Sequence, residues 1–157
     1  MTSQDHIETP TTESTVKQFC SFRLAHLTFG VEVGRVQEVI RRQPMTGVPL
    51  AHDVVRGLIN LRGQIVTALD LRRRLDLEPR PPGEEPMNIV VRTSIGELSL
   101  LVDEIGDVVD VDESAFEGPP ETLTGVAREL IIGAYKLEGR LLLALDTDRA
   151  VQLPAVA

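Results

Sequence analysis

Two stretches of this chain, one in each half, carry the same residue pattern. GLINLRGQIVTALDLRR (residues 57–73) aligns with GAYKLEGRLLLALDTDR (residues 133–149), and both keep two glycines, an Ala-Leu-Asp triplet and a final arginine. Further upstream, VGRVQEVI (residues 33–40) aligns with VDEIGDVV (residues 102–109), with the apolar positions in register. Such a repeat predicts two copies of one small module, which together bury a core that neither could bury alone.

Each copy has the pattern of β-strands. Runs rich in Val, Ile and Leu are interrupted by Gly, Pro or Asp every eight to twelve residues, which is typical of small β-barrels or a sandwich. Gly63 and Gly139 each lie between two such runs, where a two-residue hairpin turn requires positive φ. The predicted strands are residues 18–27, 28–33, 37–41, 45–49, 57–62, 64–70, 87–93, 97–103, 107–112, 129–137 and 140–146.

The clearest interruption of the pattern is RPPGEEP, residues 80–86, which has three prolines in seven residues. We therefore predict a first β-barrel subdomain over residues 17–84 and a second over residues 85–157, forming one domain overall, with exchange of the boundary strands left open. Residues 1–16 consist mainly of Thr, Ser, Glu and Asp, and we expect them to form a flexible N-terminal tail.

Charge and hydropathy exclude several classes of partner. The chain has 16 Lys and Arg against 24 Asp and Glu, a net charge of -8, and no dense basic run, so nucleic acid is not an expected partner. The longest apolar run, residues 141–145, is far too short to span a bilayer, which argues against direct membrane insertion. Since the first residues lack a basic region followed by an apolar one, we predict a cytoplasmic protein.

The residue types that usually carry chemistry are poorly placed for it. Cys20 lies in an apolar run and is interpreted as a small buried hydrophobe. The three histidines are scattered and have no cysteine nearby, so no metal site and no cofactor are expected. Asp70 and Asp146 end equivalent strands, and such a pair could serve acid–base catalysis. We favour helix capping for both, because each precedes a segment that looks like one helical turn. No catalytic residue is predicted.

The hairpin around Gly63 has the composition of an interaction surface. Residues 54–66 combine apolar residues with two arginines, and alternation along the strand places Arg56, Leu58, Asn60 and Arg62 on one side. A solvated strand face with ordinary surface arginines is the equally open alternative.

At these residues the chain resembles a known family. The segments Phe29-Gly30-Val31, VQEV (residues 36–39), Val48-Pro49, VRGLINLRGQIVTALDLRRRL (residues 55–75), Leu101-Val102-Asp103 and GRLLLALD (residues 139–146) are similar to those of the CheW family, the chemotaxis coupling proteins. The resemblance implies two packed SH3-like five-stranded β-barrels related by internal duplication. It also implies a non-catalytic adaptor that links the cytoplasmic tip of methyl-accepting chemotaxis receptors to the regulatory domain of a CheA-type histidine kinase, in membrane-associated arrays.

The resemblance also suggests which residues make contacts. It implies a coupling ion pair between Glu38 and Arg62, drawn as neighbouring strand positions. Receptor binding is expected of Val36, Gly57, Met87, Asn88 and Ile105, lining a groove between the barrels, and kinase binding of Arg56, Leu61, Arg62 and Gly63. Two alternatives remain at this point: a CheW-like scaffold of another chemosensory pathway, serving pilus motility or second-messenger output, and an enzyme that uses Asp70 and Asp146.

Overall fold

The computed structural model describes residues 16–153, and nearly all of the predicted tail, residues 1–15, lies outside the described residues. The described chain forms eleven strands and three short helices, with two 3-10 turns at Val33–Arg35 and Glu113–Ala115. The strands are β1 (Val16–Leu24), β2 (Leu27–Glu32), β3 (Val36–Ile40), β4 (Val55–Leu61), β5 (Gln64–Asp70), β6 (Met87–Thr93), β7 (Gly96–Val102), β8 (Glu104–Asp112), β9 (Phe116–Glu117), β10 (Ile131–Leu137) and β11 (Arg140–Leu145). The helices are Leu71–Arg74, Gly125–Glu129 and Thr147–Ala150.

The strands form two packed sheets. The five-stranded sheet has the order β3-β6-β7-β5-β4, and the six-stranded sheet has the order β8-β1-β2-β11-β10-β9. One parallel pair occurs in each sheet, β5 with β7 and β2 with β11, and the other pairs are antiparallel. The predicted all-β fold of two related SH3-like barrels is confirmed. The sixth strand of the larger sheet is the two-residue β9, which pairs with β10. In the five-stranded sheet, the isolated bridge between Thr46 and Leu58 occupies the equivalent position beside β4.

The two copies of the sequence repeat share both sheets. The five-stranded sheet is built entirely from residues 36–102, whereas the six-stranded sheet combines residues 16–32 with residues 104–145. Strands β1 and β2 of the first copy therefore lie beside the hairpin of the second copy, and β6 and β7 of the second copy lie beside the hairpin of the first. The predicted division at residue 84 follows the sequence repeat, and it stays a prediction about subdomains, since each sheet takes strands from both sides of it.

The predicted repeat is visible in the backbone. Hairpin β4–β5 and its following helix match hairpin β10–β11 and its following helix, in agreement with the sequence alignment. Each hairpin has a register shift at the same place, before Gly57 and before Gly133. A Cβ at Gly57 would lie 2.7 Å from the Thr46 carbonyl oxygen, and one at Gly133 would lie 2.4 Å from the Glu117 carbonyl oxygen. Both copies keep glycine here because another chain segment crosses at van der Waals distance.

The core has three parts. The largest cluster lies between the sheets and takes side chains from both. It includes the stacked rings of Phe22 and Phe29, whose centroids are 5.7 Å apart, and Ile89 and Leu100 from the five-stranded sheet. A second cluster belongs to the six-stranded sheet and contains Phe19, Val111, Tyr135, Leu142 and Ala144. A third belongs to the five-stranded sheet and contains Ile59, Val66, Ala68 and Leu101. The central cluster makes one body of the two barrels.

Some predicted strand boundaries are wrong. The turn between β1 and β2 lies at Ala25-His26, without glycine or proline to signal it, and Ala25 adopts a φ of 56°. Its amide donates to the Asp103 carboxylate at 2.8 Å, a long-range contact that stabilises this turn. The strand predicted at residues 45–49 is reduced to one bridge at Thr46, and β9 was not predicted because it is only two residues long.

Candidate interaction surface

The hairpin β4–β5 ends in a tight turn at Arg62 and Gly63. Both residues have positive φ, 53° and 88°, as in the two-residue turns that suit the twist of a hairpin. The Asn60 side-chain oxygen accepts a hydrogen bond from the Gly63 amide at 2.9 Å and so stabilises the turn. Arginine is an uncommon residue at positive φ, so this turn holds its long cationic side chain in place at a conformational cost.

The Arg62 guanidinium forms a two-pronged ion pair with Glu38. Nη1 and Oε1 are 2.5 Å apart, and Nη2 and Oε2 are 3.1 Å apart. The predicted contact is therefore present, but the predicted placement on neighbouring strands is wrong. Glu38 lies on β3 and Arg62 follows β4, the two outermost strands of the five-stranded sheet. The ion pair joins these edges, with Arg62 77% exposed and Glu38 21% exposed.

An apolar hollow lies beside this turn. It has a volume of about 490 Å³, and its walls are formed by Gln43, Pro44, Thr46, Leu58, Ile59, Asn60 and Ile65. Ile65 is 60% exposed and adds apolar surface to the hollow. The sequence prediction missed Ile65, although its exposure follows from its position directly after the turn. The predicted kinase residues Leu61, Arg62 and Gly63 are gathered at this end of the hairpin.

Arg56 lies apart from the other predicted kinase residues, at the opposite end of β4. Its Nη1 donates to Asp70 Oδ2 at 3.4 Å, and both residues line a second cavity of about 490 Å³ beside the proline-rich segment. Alternation of exposure along β4 is as predicted, because Arg56 and Asn60 are exposed whereas Gly57 and Ile59 are buried. The structure thus places the predicted kinase residues at two locations on one hairpin.

The predicted receptor residues differ in accessibility. Val36, Met87 and Ile105 are half-buried and pack against the central core cluster. Asn88 is 1% exposed, and its side-chain oxygen accepts from the Ser99 hydroxyl at 2.8 Å. The prediction that Asn88 contacts the receptor is therefore wrong, because a partner cannot reach its side chain. Gly57 is buried too, so its predicted role is corrected to an indirect one, in which it lets Thr46 cross β4 closely.

The two repeat-related aspartates are helix caps. The Asp70 side chain accepts from the Arg73 amide at 3.3 Å, and the Asp146 side chain accepts from the Arg149 amide at 3.2 Å. Each carboxylate satisfies an amide at the start of a four-residue helix. The capping interpretation is confirmed. The equivalent places of the two aspartates in the repeat explain why both cap a helix.

Other candidate groups are also structural. Cys20 is buried, as predicted, and burial raises the pKa of its thiol. Among residues 16–153, no group of three or more His, Cys, Asp or Glu is arranged to hold a metal ion. In the same part of the chain, no helix is long and apolar enough to cross a membrane.

Comparisons with known proteins agree with this architecture. Residues 18–155 match the family model described as a CheW-like domain. The chemotaxis protein CheW of Bacillus subtilis is 34% identical over 123 residues, covering 76% of this chain and 77% of that protein. CheW of Thermotoga maritima is 30% identical over 137 residues, covering 84% and 85% of the two chains. The crystal structure of the scaffolding protein TtCheW from Thermoanaerobacter tengcongensis superimposes with a TM-score of 0.79 at 26% identity, covering 87% of this chain and 93% of that one. The chain belongs to the CheW-like family of chemotaxis scaffolding proteins.

Proposed function

We propose that this protein is a non-catalytic adaptor that couples the cytoplasmic tips of methyl-accepting chemoreceptors to the regulatory domain of a CheA-type histidine kinase. It acts in the cytoplasm and is recruited to membrane-associated receptor arrays. The relatives are named as chemotaxis and scaffolding proteins, which supports a role in assembling signalling complexes. No cofactor enters this proposal, since assembly requires surfaces and no bond is made or broken.

The observation that carries the proposal is the difference between equivalent positions of the two copies. Glu38 and Arg62 form an ion pair, whereas the residues aligned with them in the second copy, Asp107 and Glu138, are both acidic. Two carboxylates repel each other, so the second copy has no such pair. A fold requirement would act on both copies alike. The Glu38–Arg62 pair is present in the first copy and absent from the second, and it lies beside an exposed apolar hollow. These two features are best explained by a surface that binds a partner.

The same surface suits a protein partner. Its centre is apolar, with Leu58 and Ile65 at the wall of the hollow, and the charged pair lies at its edge. Protein interfaces commonly have this distribution. Their centre has few charged residues, and arginine is the charged residue that is enriched among the contacts. We assign the kinase regulatory domain to this hairpin and the receptor tip to the half-buried residues Val36, Met87 and Ile105 between the barrels.

Binding to separately purified partners tests the kinase assignment. Kinase regulatory domain and receptor-tip fragment are each titrated with wild type, Arg62→Ala and Glu138→Ala. Glu138 is the matched control because it occupies the same turn position in the second copy and is exposed. Arg62→Ala is expected to weaken kinase binding by about tenfold, the effect of a moderate interface contact, and Glu138→Ala to leave it unchanged. Failure of wild type to bind either partner overturns the proposal.

A second pair of variants tests the receptor assignment. Val36→Glu places a charge at a half-buried position on β3, whereas Val39→Glu places the same charge at an exposed position on the same strand. Val36→Glu should weaken receptor binding more than kinase binding, because a carboxylate is costly in an apolar environment. If folded Val36→Glu loses both partners equally, the division of the surface between receptor and kinase is wrong.

A further inference from the structure

Residues 78–86, here called the strap, run from the helix Leu71–Arg74 toward β6 without joining either sheet. Four of its nine residues are proline and lack an amide hydrogen, so the strap cannot pair along a strand edge. Its middle part, residues 81–85, is exposed. Within it, one backbone hydrogen bond is formed, from the Glu84 amide to the Pro81 carbonyl at 3.2 Å. The strap therefore depends on side chains to hold it against the body of the protein.

Two arginines and one carboxylate provide most of that attachment. Arg80, unlike the exposed residues that follow it, turns inward with its side chain 8% exposed, and its Nε and Nη2 donate to Asp103 Oδ1 at 3.2 and 3.0 Å. Arg72 donates from Nε to both Asp103 oxygens at 2.9 and 3.1 Å. Its Nη1 donates to the Glu78 and Pro79 carbonyls at 2.8 and 3.2 Å, so Arg72 holds the start of the strap and Arg80 holds the part that follows. A further ion pair, Arg42 with Glu85, is exposed at both ends.

The three charges are unequal in number. Two guanidinium groups, those of Arg72 and Arg80, pair with the single carboxylate of Asp103. All three side chains are 8% exposed. Burial opposes ionisation of Asp103, but donation from Arg72 and from the Ala25 amide outweighs it and holds the pKa of the carboxyl below its ordinary value. If Arg80 leaves, Asp103 keeps Arg72 and Ala25 as partners. Arg80 can therefore detach without leaving an unpaired buried carboxylate. Loss of Arg72 would remove the donor that contacts both Asp103 oxygens.

Beneath the strap lies the polar cavity beside Arg56. Its walls combine strap residues with Arg56, Asp70, Arg72, Arg73 and Asp76. We propose that the strap is a hinged cover over this cavity, latched by Arg80 to Asp103, and that its release exposes the cavity and loosens Arg56 while the fold stays intact. Arg56 lies on the same hairpin as the Arg62 turn but at its other end, so an effect of the strap on kinase binding would act along the hairpin, and this connection alone rests on the proposed function.

Hydrogen–deuterium exchange on the isolated full-length protein tests the latch without any partner. Arg80→Ala removes the latch, Arg80→Lys keeps the charge but loses the fork of donors, and Arg42→Ala removes the exposed attachment of the same strap. In Arg80→Ala, exchange in the peptide covering residues 75–86 is expected to accelerate about tenfold, with β5 and β6 unchanged. The hydrogen-bonded amides of Asp76, Leu77 and Glu84 report this change. Arg80→Lys should give a smaller acceleration and Arg42→Ala almost none.

Three results would overturn the latch: unchanged exchange in Arg80→Ala, equal acceleration in Arg42→Ala, or acceleration through the whole chain in both Arg80 variants. The last would make Arg80 a general stability residue. The link to the kinase is measured separately, by titrating the kinase regulatory domain with Arg80→Ala. We expect about threefold weaker binding, and unchanged affinity would break that link even if the strap opens. Failure of wild type to bind the kinase would instead count against the proposed function and leave the exchange result standing.

Discussion

The two copies of the repeat each fasten their short helix to a distant strand or turn with an arginine–aspartate pair, but the charges are exchanged. In the first copy Arg72, on the helix, binds Asp103 after β7, and both side chains are 8% exposed. In the second copy Asp148, on the helix, binds Arg35 before β3, with exposures of 32% and 41%. Positions 72 and 148 are equivalent in the alignment of the two copies. Both copies therefore have an ion pair at this place, with opposite polarity, and the pair of the first copy is the more deeply buried.

The same comparison separates structural residues from those that we propose contact a partner. Features kept in both copies, such as Gly57 with Gly133 and Asp70 with Asp146, all have a local structural cause. Arg62 and Glu138 differ in charge as Arg72 and Asp148 do, but they lie at the exposed end of a hairpin, and Glu138 is aligned opposite a second acidic residue and not a cation. A difference between the copies that leaves an ion pair in one of them, at an exposed turn, supports the proposed partner surface.

The largest expected effect is at the buried ion pair. Arg72→Met should lower the free energy of unfolding by about 3 kcal/mol, the lower end of the range for breaking a buried pair, because Arg80 still accompanies Asp103. Arg35→Met, the equivalent change at the exposed pair, should lower it much less. Urea unfolding at constant m-value measures both changes. Equal losses for the two variants would contradict the distinction between the copies.

Next in size are the glycines at the crossing points. Gly133→Ala would bring a methyl group to 2.4 Å from the Glu117 carbonyl oxygen, and Gly57→Ala to 2.7 Å from that of Thr46. We expect each to cost about 1–3 kcal/mol through overpacking, with the larger loss at Gly133. Thermal unfolding gives the order. A tolerated alanine at both sites would show that the crossing segments move freely.

Loss of the helix caps should have a smaller effect. Asp70→Ala and Asp146→Ala should each cost about 1 kcal/mol, because each leaves one helix amide without its acceptor. Asparagine at either position should restore most of the stability, since its side-chain oxygen accepts the same bond. Kinase binding by folded Asp146→Ala should equal that of wild type. A chemical activity abolished by the Asp70→Asn change in a stable protein would revive the enzyme alternative.

The smallest effect concerns acid stability. Donation from Arg35 and from the Ser94 amide lowers the pKa of Asp148 from 3.8 to about 2. Since the folded value is the lower one, the stabilisation by this carboxylate is complete above pH 3.8 and is lost as pH falls to about 2. The melting-temperature difference between wild type and Asp148→Asn should accordingly be constant near neutral pH and shrink in acid, below about pH 4. A melting-temperature difference that grows on acidification would contradict the lowered pKa of Asp148.

Local features of this fold could be predicted from the sequence, whereas long-range pairing could not. The hairpin glycines and the Asp70 and Asp146 caps depend on neighbours within a few residues, and the structure has them as predicted. The exchange of β1 and β2 into the six-stranded sheet depends on parallel pairing of β2 with β11, near the other end of the chain. Contacts over such a distance leave no periodic trace in one sequence.

The candidate site shows the same limit. The charges of Glu38 and Arg62 suggested a pair, but only the closure of the five-stranded sheet shows that they join its two edges. Asn88 is buried and accepts a hydrogen bond from Ser99 across β6 and β7, and an asparagine next to a methionine gives no sign of either in the sequence. The role of Asp103 was likewise hidden, because its partners Ala25, Arg72 and Arg80 are dispersed along the chain.

Formation of a ternary complex tests the central claim most directly. Receptor-tip fragment and kinase regulatory domain, at concentrations where they do not associate, are mixed with this protein and followed by sedimentation velocity. Wild type and Glu138→Ala should produce a species containing all three components. At a kinase concentration close to the wild-type Kd, Arg62→Ala should leave most of the receptor-bound adaptor without kinase. If wild type binds one partner only by displacing the other, or if Arg62→Ala and Glu138→Ala behave alike, the protein is not an adaptor acting through its first hairpin.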